Sequence, residues 1–208
     1  MSESMLTNWG YTINAESLEP LISSTDFGTI TADKYDGDGR IISEINAASS
    51  AIRDYCGWHI YPSKPCVMSA TFFDRRISRT GSALLIQLPA RFVSAITSVK
   101  INDVDYPTYV FDTNGLLKVY CVDAWLPEWA PVAVEYTAGL SDQMANGMKE
   151  VVANCVVHGL TSTGGVQSEA AGGVSVTYSS SWVNSGKATS LADDNKEILN
   201  PYRLQGVF

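Results

Sequence analysis

Residues 39–61 read GRIISEINAASSAIRDYCGWHIY, and their apolar positions decide how the chain divides. Ile41, Ile45, Ala48, Ile52 and Tyr55 step by four, three, four and three, which is one face of a 3.6-residue period. Asp38 stands where a helix needs a cap and Gly57 where it stops. The spacing therefore predicts a helix over Arg40–Tyr55 with those five side chains as its core face. Trp58 and Tyr61 follow as bulky anchors.

Beyond this helix the pattern switches to strands. Cys66–Phe73, Ala83–Leu88, Ala95–Ile101, Thr108–Phe111, Leu116–Cys121 and Val132–Thr137 are rich in branched and aromatic residues. Gly81, Pro89, Asn102-Asp103, Asn114-Gly115 and Pro131 separate them. Asn114-Gly115 reads as a hairpin, because that dipeptide enters positive φ at low cost. A second helix fits Asp142–Leu160, with Met144, Met148, Val151, Val152, Cys155 and Val156 as its stripe. Gly173–Tyr178 alternates like a strand, and a short helix fits Asp193–Leu199 before Pro201 stops it.

The expected fold class is α+β: a small antiparallel helix bundle with an inserted β-rich lobe and an extended C-terminal arm. Its parts would be an N-terminal arm over 1–38, with at most one short helix near Glu16–Ser23, and a helical core from 39–61 and 140–160. An inserted β-rich lobe would cover 62–139, a Gly/Ser-rich arm 161–192, and a short helix with a tail 193–208.

Charge adds a second layer. The formal net charge is −8, a poor balance for wrapping nucleic acid, where affinity comes from neutralising phosphate. The charges also come in blocks. Residues 1–40 carry seven acids against two bases, residues 60–100 six bases against Asp74, and residues 101–140 six acids against Lys118. Such blocks either cancel within the fold or meet across copies of the chain, where complementary patches fix register. Charged residues make up 17%, below the usual share of about 25%, as expected of a surface partly covered by partners. No apolar stretch reaches membrane-span length, and the N-terminus has neither the basic start nor the apolar run of an export signal. Cys56, Cys66, Cys121 and Cys155 are accordingly read as free thiols in a reducing compartment.

Chemistry is sparse. The two histidines, His59 and His158, each sit near a helix end and read as packing or capping residues. There is no Gly-x-Ser-x-Gly elbow, P-loop or dinucleotide fingerprint. The cysteines lack zinc spacing, and Asp33–Gly39 fails the calcium-loop register, which would put Lys34 and Ile45 at ligand positions. No catalytic residue, metal or cofactor is expected. Arg75, Arg76 and Arg79, beside Phe72 and Phe73, form a basic cluster that reads as a solvated loop or a protein–protein patch ahead of a DNA contact.

The order of these pieces resembles the head-tail connector (adaptor, or head-completion) proteins of tailed bacteriophages. The residues that carry the resemblance are the helix exit Ile52–Trp58, then Leu88-Pro89 with Val93–Ile101, and Trp125 ahead of Val132–Leu140. Glu169 before Gly173–Tyr178 and the closing Leu199-Asn200-Pro201-Tyr202-Arg203 complete it. Together they span roughly residues 40–205, leaving out the acidic N-terminal arm and the Ser-rich 179–192.

The resemblance implies a structural virion protein of the neck, assembled in the host cytoplasm. It would form a homo-oligomeric ring of about twelve copies that joins the portal to the tail or next neck protein and extends the DNA channel. DNA would pass without sequence-specific binding, since a carboxylate-lined channel repels phosphate. Leu199, Pro201, Tyr202 and Arg203 become portal-docking candidates. Arg75, Arg76, Arg79, Val174, Val176 and Tyr178 become inter-subunit candidates. Two other readings compete: a tail-terminator or stopper ring protein dominated by strands, and a β-rich protein- or glycan-binding module using Trp125 and Trp129.

Overall fold

The computed structural model describes residues 4–15, 17–120, 127, 129–161, 168–171, 174–177, 191 and 193–204, with 168–171 and 174–177 as backbone. The described residues of Met1–Glu19, Gly57–Met144 and Tyr202–Phe208 form a β unit, and those of Pro20–Cys56 and Ala145–Pro201 a helical unit.

Ten strands make up the β unit: β1 (Met5–Leu6), β2 (Thr12–Ile13), β3 (Lys64–Thr71), β4 (Ile77–Thr80), β5 (Ala83–Gln87), β6 (Val93–Ile101), β7 (Val104–Asp105), β8 (Tyr109–Phe111), β9 (Leu116–Val119) and β10 (Pro131–Ala138). They build a six-stranded sheet, β1-β2-β3-β10-β6-β7, and a four-stranded sheet, β4-β5-β9-β8. Every pairing is antiparallel. Strand β10 shows why the larger sheet holds. Val132, Val134, Tyr136 and Ala138 alternate onto one buried face. They lie opposite Met68 and Cys66 of β3 and Val99 and Ile101 of β6, all buried. In the smaller sheet Ile77, Leu84, Ile86, Leu117 and Val119 share the buried face.

The turns follow their residues. Asn102 and Asp103 both take positive φ, 51° and 63°, and link β6 to β7 as a two-residue hairpin. At the β8–β9 hairpin the Asp112 carboxylate accepts from the amides of Asn114 and Leu116, both at 2.9 Å. Gly115 closes that turn at φ 87°, and a Cβ there would collide with the Ala90 carbonyl oxygen.

In the helical unit, α1 (Ser24–Thr31), α2 (Ile41–Cys56), α3 (Asn146–Thr161) and α4 (Asp193–Leu199) accompany a hairpin of β11 (Ser168–Ala171) and β12 (Val174–Thr177). Ser23 caps α1 through its Oγ, which accepts from the Asp26 amide at 3.0 Å. Ile45, Ala48 and Ile52 of α2 are buried, joined by Ser49, Arg53 and Cys56, while Ile41 and Tyr55 are half-buried. Facing α3 buries Met148, Val151, Val152, Val156 and Leu160. The Ser49 hydroxyl accepts from the Leu21 amide at 3.0 Å, and Lys149 pairs with Asp26 at 2.9 Å.

The expected fold class is overturned. Among the described residues the protein is mostly β, with four short helices and two antiparallel sheets of six and four strands, and is not a helix bundle carrying an inserted lobe. The reason lies in residues 5–13. Read as an irregular arm, they supply β1 and β2, which pair onto β3 and join the larger sheet. The strands after α2 therefore complete a sheet that begins at the N-terminus. The short helix expected near Glu16–Ser23 lies further along, at Ser24–Thr31.

Candidate functional site

Two adjacent residues, Trp58 and His59, each 0% exposed, hold the two ends of the β unit's chain. His59 holds the N-terminal segment. Its Nε2 lies 2.9 Å from the Ala138 carbonyl oxygen, which only accepts, so Nε2 carries the proton. Nδ1 then accepts from the Tyr11 hydroxyl at 2.8 Å, and the His59 amide donates back to that hydroxyl at 3.1 Å. Trp58 holds the C-terminal segment: its Nε1 donates to the Tyr202 carbonyl at 2.7 Å. Phe92 stacks on Trp58 at 6.0 Å between centroids and meets Tyr202 at 5.9 Å. Arg91 donates to the Arg203 carbonyl at 3.2 Å.

The docking candidates are thus distributed unevenly. Leu199 is fully buried in the helical unit and anchors α4. Asn200–Tyr202 form a 3-10 turn, in which Asn200 Oδ1 accepts from the Tyr55 hydroxyl at 2.8 Å. Pro201 and Arg203 are exposed, and Tyr202 is half-buried.

Of the inter-subunit candidates, the arginines cluster at the β3–β4 turn of the β unit. Asp74 organises that turn. Its carboxylate accepts from the Arg76 amide at 2.9 Å and from the Arg76 guanidinium at 2.9 and 2.6 Å. The guanidinium holds the Asp74 carboxyl below the ordinary aspartate range. It also packs over Gly10, where a Cβ would lie 3.1 Å from it. Arg76 is therefore tied into the fold. Arg75 is exposed and makes no ion pair among the described residues, Phe73 beside it is 72% exposed, and Arg79 donates to the Gly81 carbonyl at 3.3 Å. Val174 and Val176 lie on β12 of the helical unit; Tyr178 and most of the 161–192 arm lie outside the described residues.

Sequence reasoning missed two concavities among the described residues, of which one is a cleft of about 400 Å³ in the β unit lined by Trp9, Gly10, Asp74, Arg75, Arg76 and Leu204. The other is an open cleft of about 550 Å³ in the helical unit, between α1 and the α1–α2 connection, lined by Phe27, Thr31, Tyr35 and Ile41 together with the exposed Asp33 and Asp36. Its signal was the same acidic run that failed as a calcium loop. Among the described residues no group of three or more His, Cys, Asp or Glu is placed to hold a metal ion. Cys56, Cys66 and Cys155 form no disulfide among the described residues, and Cys121 lies outside them. Burial pushes the Cys66 thiol up to about 12 and that of Cys155 up to about 11, so neither is a ready nucleophile. His158 is exposed on the last turn of α3, as is Trp129 on its loop, while Trp125 lies outside the described residues.

Compared with known protein families, the chain matches the one described as head completion protein over residues 21–204. The chain belongs to the head completion protein family. The role of that family is structural, in completing the bacteriophage head. The match spans both units and ends at the residues clipped by Trp58 and Arg91, but leaves out the first twenty residues, which supply β1 and β2. No curated protein matches the chain. Among the described residues no helix is long and apolar enough to cross a membrane.

Proposed function

We propose that this head completion protein is a ring-forming component of the virion neck. It joins the portal to the tail or to the next neck protein, extends the DNA channel, and carries out no catalysis. The observation that carries the reading is the family match across residues 21–204. The charge supports it: at −8, with acidic blocks on either side of the basic one, the chain suits a channel wall that repels phosphate and lets DNA slide. About twelve copies is the number the family resemblance implies, closed by head-to-tail contacts.

Docking to the portal falls to Pro201, Tyr202 and Arg203. Tyrosine and arginine combine large contact area with a directed polar group. The backbone of Tyr202 and Arg203 is held by Trp58 and Arg91, so their exposed face is presented without a large ordering cost. Arg203→Glu tests this, since the change leaves the clip's backbone bonds in place. The variant should melt like the wild type and fail to attach to filled heads. The lysate should then hold capsids that package DNA and leak it, beside free tails. A variant that still completes infectious particles moves docking away from the tail.

A further inference from the structure

The β-unit cleft of about 400 Å³ joins an aromatic wall to a charged one. The aromatic wall is the β1–β2 turn, which sets Trp9 in place. The Thr7 amide and hydroxyl both donate to the Tyr11 carbonyl, at 3.0 and 2.7 Å, and the Trp9 ring stacks on Tyr11 at 6.3 Å between centroids. Tyr11 is itself fixed by His59. The half-buried indole is therefore presented with little left to order on binding. Leu88, Pro89 and Leu204 continue the apolar lining. Trp9 and Gly10 precede the span matched to the family, so this wall is a feature of the chain that the match does not supply.

The charged wall is cationic. Arg75 and Arg76 line it, and Asp74 is the one carboxylate among the described residues of the lining. Arg76 is committed to Asp74 through guanidinium hydrogen bonds of 2.9 and 2.6 Å. Arg75 is exposed and makes no ion pair among the described residues, so its charge is the one left over. Arg203 precedes Leu204 of the lining, and Arg91 holds the Arg203 carbonyl at 3.2 Å, which brings further guanidinium groups beside the cleft. In a chain of net charge −8 this is a local reversal of sign. Every cation here is an arginine, whose planar fork takes a carboxylate through two hydrogen bonds and whose flat face lies on an indole.

We infer that the cleft seats an acidic peptide segment of the partner to which the tail docks, with an apolar side chain against Trp9 and Leu204 and a carboxylate on Arg75. The inference rests on the docking reading above and names the chemistry of its partner. Charge complementarity decides the occupant. A short acidic segment places one carboxylate on Arg75 and turns its others away from Asp74. A nucleic-acid backbone cannot, since its phosphates recur at fixed spacing, and a chain of −8 opposes a polyanion as a whole. An apolar side chain on the indole also shields the guanidinium–carboxylate pair from water, which strengthens it.

The test titrates the full chain and reads the indole N–H resonance of Trp9, which Trp9→Phe assigns. The probes are acetyl-Glu-Leu-Phe-Glu-amide, its Gln-Leu-Phe-Gln counterpart and a single-stranded oligothymidylate. The acidic peptide should shift the resonance saturably. Arg75→Glu should weaken that binding about tenfold with unchanged melting, because Arg75 lies on the surface. No saturable shift, equal binding of the neutral peptide, or tighter binding of the oligonucleotide overturns the inference. Attachment to DNA-filled heads that lack the protein then separates the two readings. Wild type should attach, and Arg75→Glu should attach about tenfold more weakly. Wild type that does not attach overturns the docking reading and the cleft's place in it. Wild type that attaches, with Arg75→Glu attaching equally well, overturns the cleft and leaves the docking reading to Arg203→Glu.

Discussion

The two ends of the β unit's chain are held by neighbouring residues in different ways. At the N-terminal end, Tyr11 is buried at 1% exposure and shares two hydrogen bonds with His59, whose other ring nitrogen is committed to Ala138. At the C-terminal end, one indole N–H reaches a carbonyl, and the ring of Tyr202 lies half-buried against Phe92. The first arrangement is a fully desolvated polar network, in which losing any member strands the others without water. The second is a clip whose groups can return to solvent at modest cost. The difference teaches which end belongs to the fold and which is available to a partner. Residues 5–13 are part of the sheet, and 202–204 are a surface element held in place.

The largest expected effect tests the buried side of this comparison. His59→Ala removes both ring partners, leaves the Tyr11 hydroxyl without its acceptor, and opens a cavity. It should cost about 3–5 kcal/mol in denaturant unfolding. A loss under about 1 kcal/mol would mean the N-terminal segment is as loosely held as the tail. Trp58→Phe keeps one aromatic ring, deletes the donor of the clip and leaves a cavity, since Trp58 is fully buried. We expect a loss of about 2–3 kcal/mol, smaller than that of His59→Ala, with the largest rise in amide exchange at Tyr202–Leu204. Loss of protection at Thr12 and Ile13 in the same variant would show that the two ends are not separately held.

Asp74→Asn sharpens the comparison through pH. The carboxyl of Asp74 is held below its ordinary value of 3.8 by its hydrogen bond to Arg76, the side chain that packs over Gly10. A lowered carboxyl pKa contributes stability that is present above 3.8 and lost as pH falls through the lower folded value. The wild type should therefore lose stability more steeply than Asp74→Asn on acidification below about pH 4, by at most about 1 kcal/mol for a partly exposed pair. Parallel acid curves would remove Arg76 from the account of the N-terminal segment. The smallest effect belongs to Tyr136, whose hydroxyl is the buried side-chain polar atom without a partner among the described residues. Tyr136→Phe discards an unsatisfied group and should be neutral to stabilising, within about 1 kcal/mol.

Much of the secondary structure was legible in residues. Ile45, Ala48 and Ile52 mark α2 because buried helical positions recur every three or four residues. Val132, Val134 and Tyr136 mark β10 because alternation is the period of a half-buried strand. The short helix read at Asp193–Leu199 is α4. What escaped reading has physical causes. Two-residue strands such as β1 and β2 have no period to detect, and they decide the fold class by joining the sheet from the other end of the chain. Strand β4, Ile-Ser-Arg-Thr, is polar on its exposed face and short enough to pass for a loop. Residues of α1 include Gly28 and three threonines, poor helix formers that tertiary packing overrides. The C-terminal tail was legible as a helix stop at Pro201, but its seat on Trp58 and Phe92 depends on contacts across more than a hundred residues of sequence.

The central claim is that this head completion protein acts as a multi-copy neck ring. Cryo-electron microscopy of phage particles, with the protein's stoichiometry measured against the portal in the same particles, tests it most directly. The account predicts closed ring density between portal and tail, with several copies per vertex and residues 201–203 against the portal. Particles that are complete and infectious without that density, or that carry the protein as isolated single copies, would contradict it.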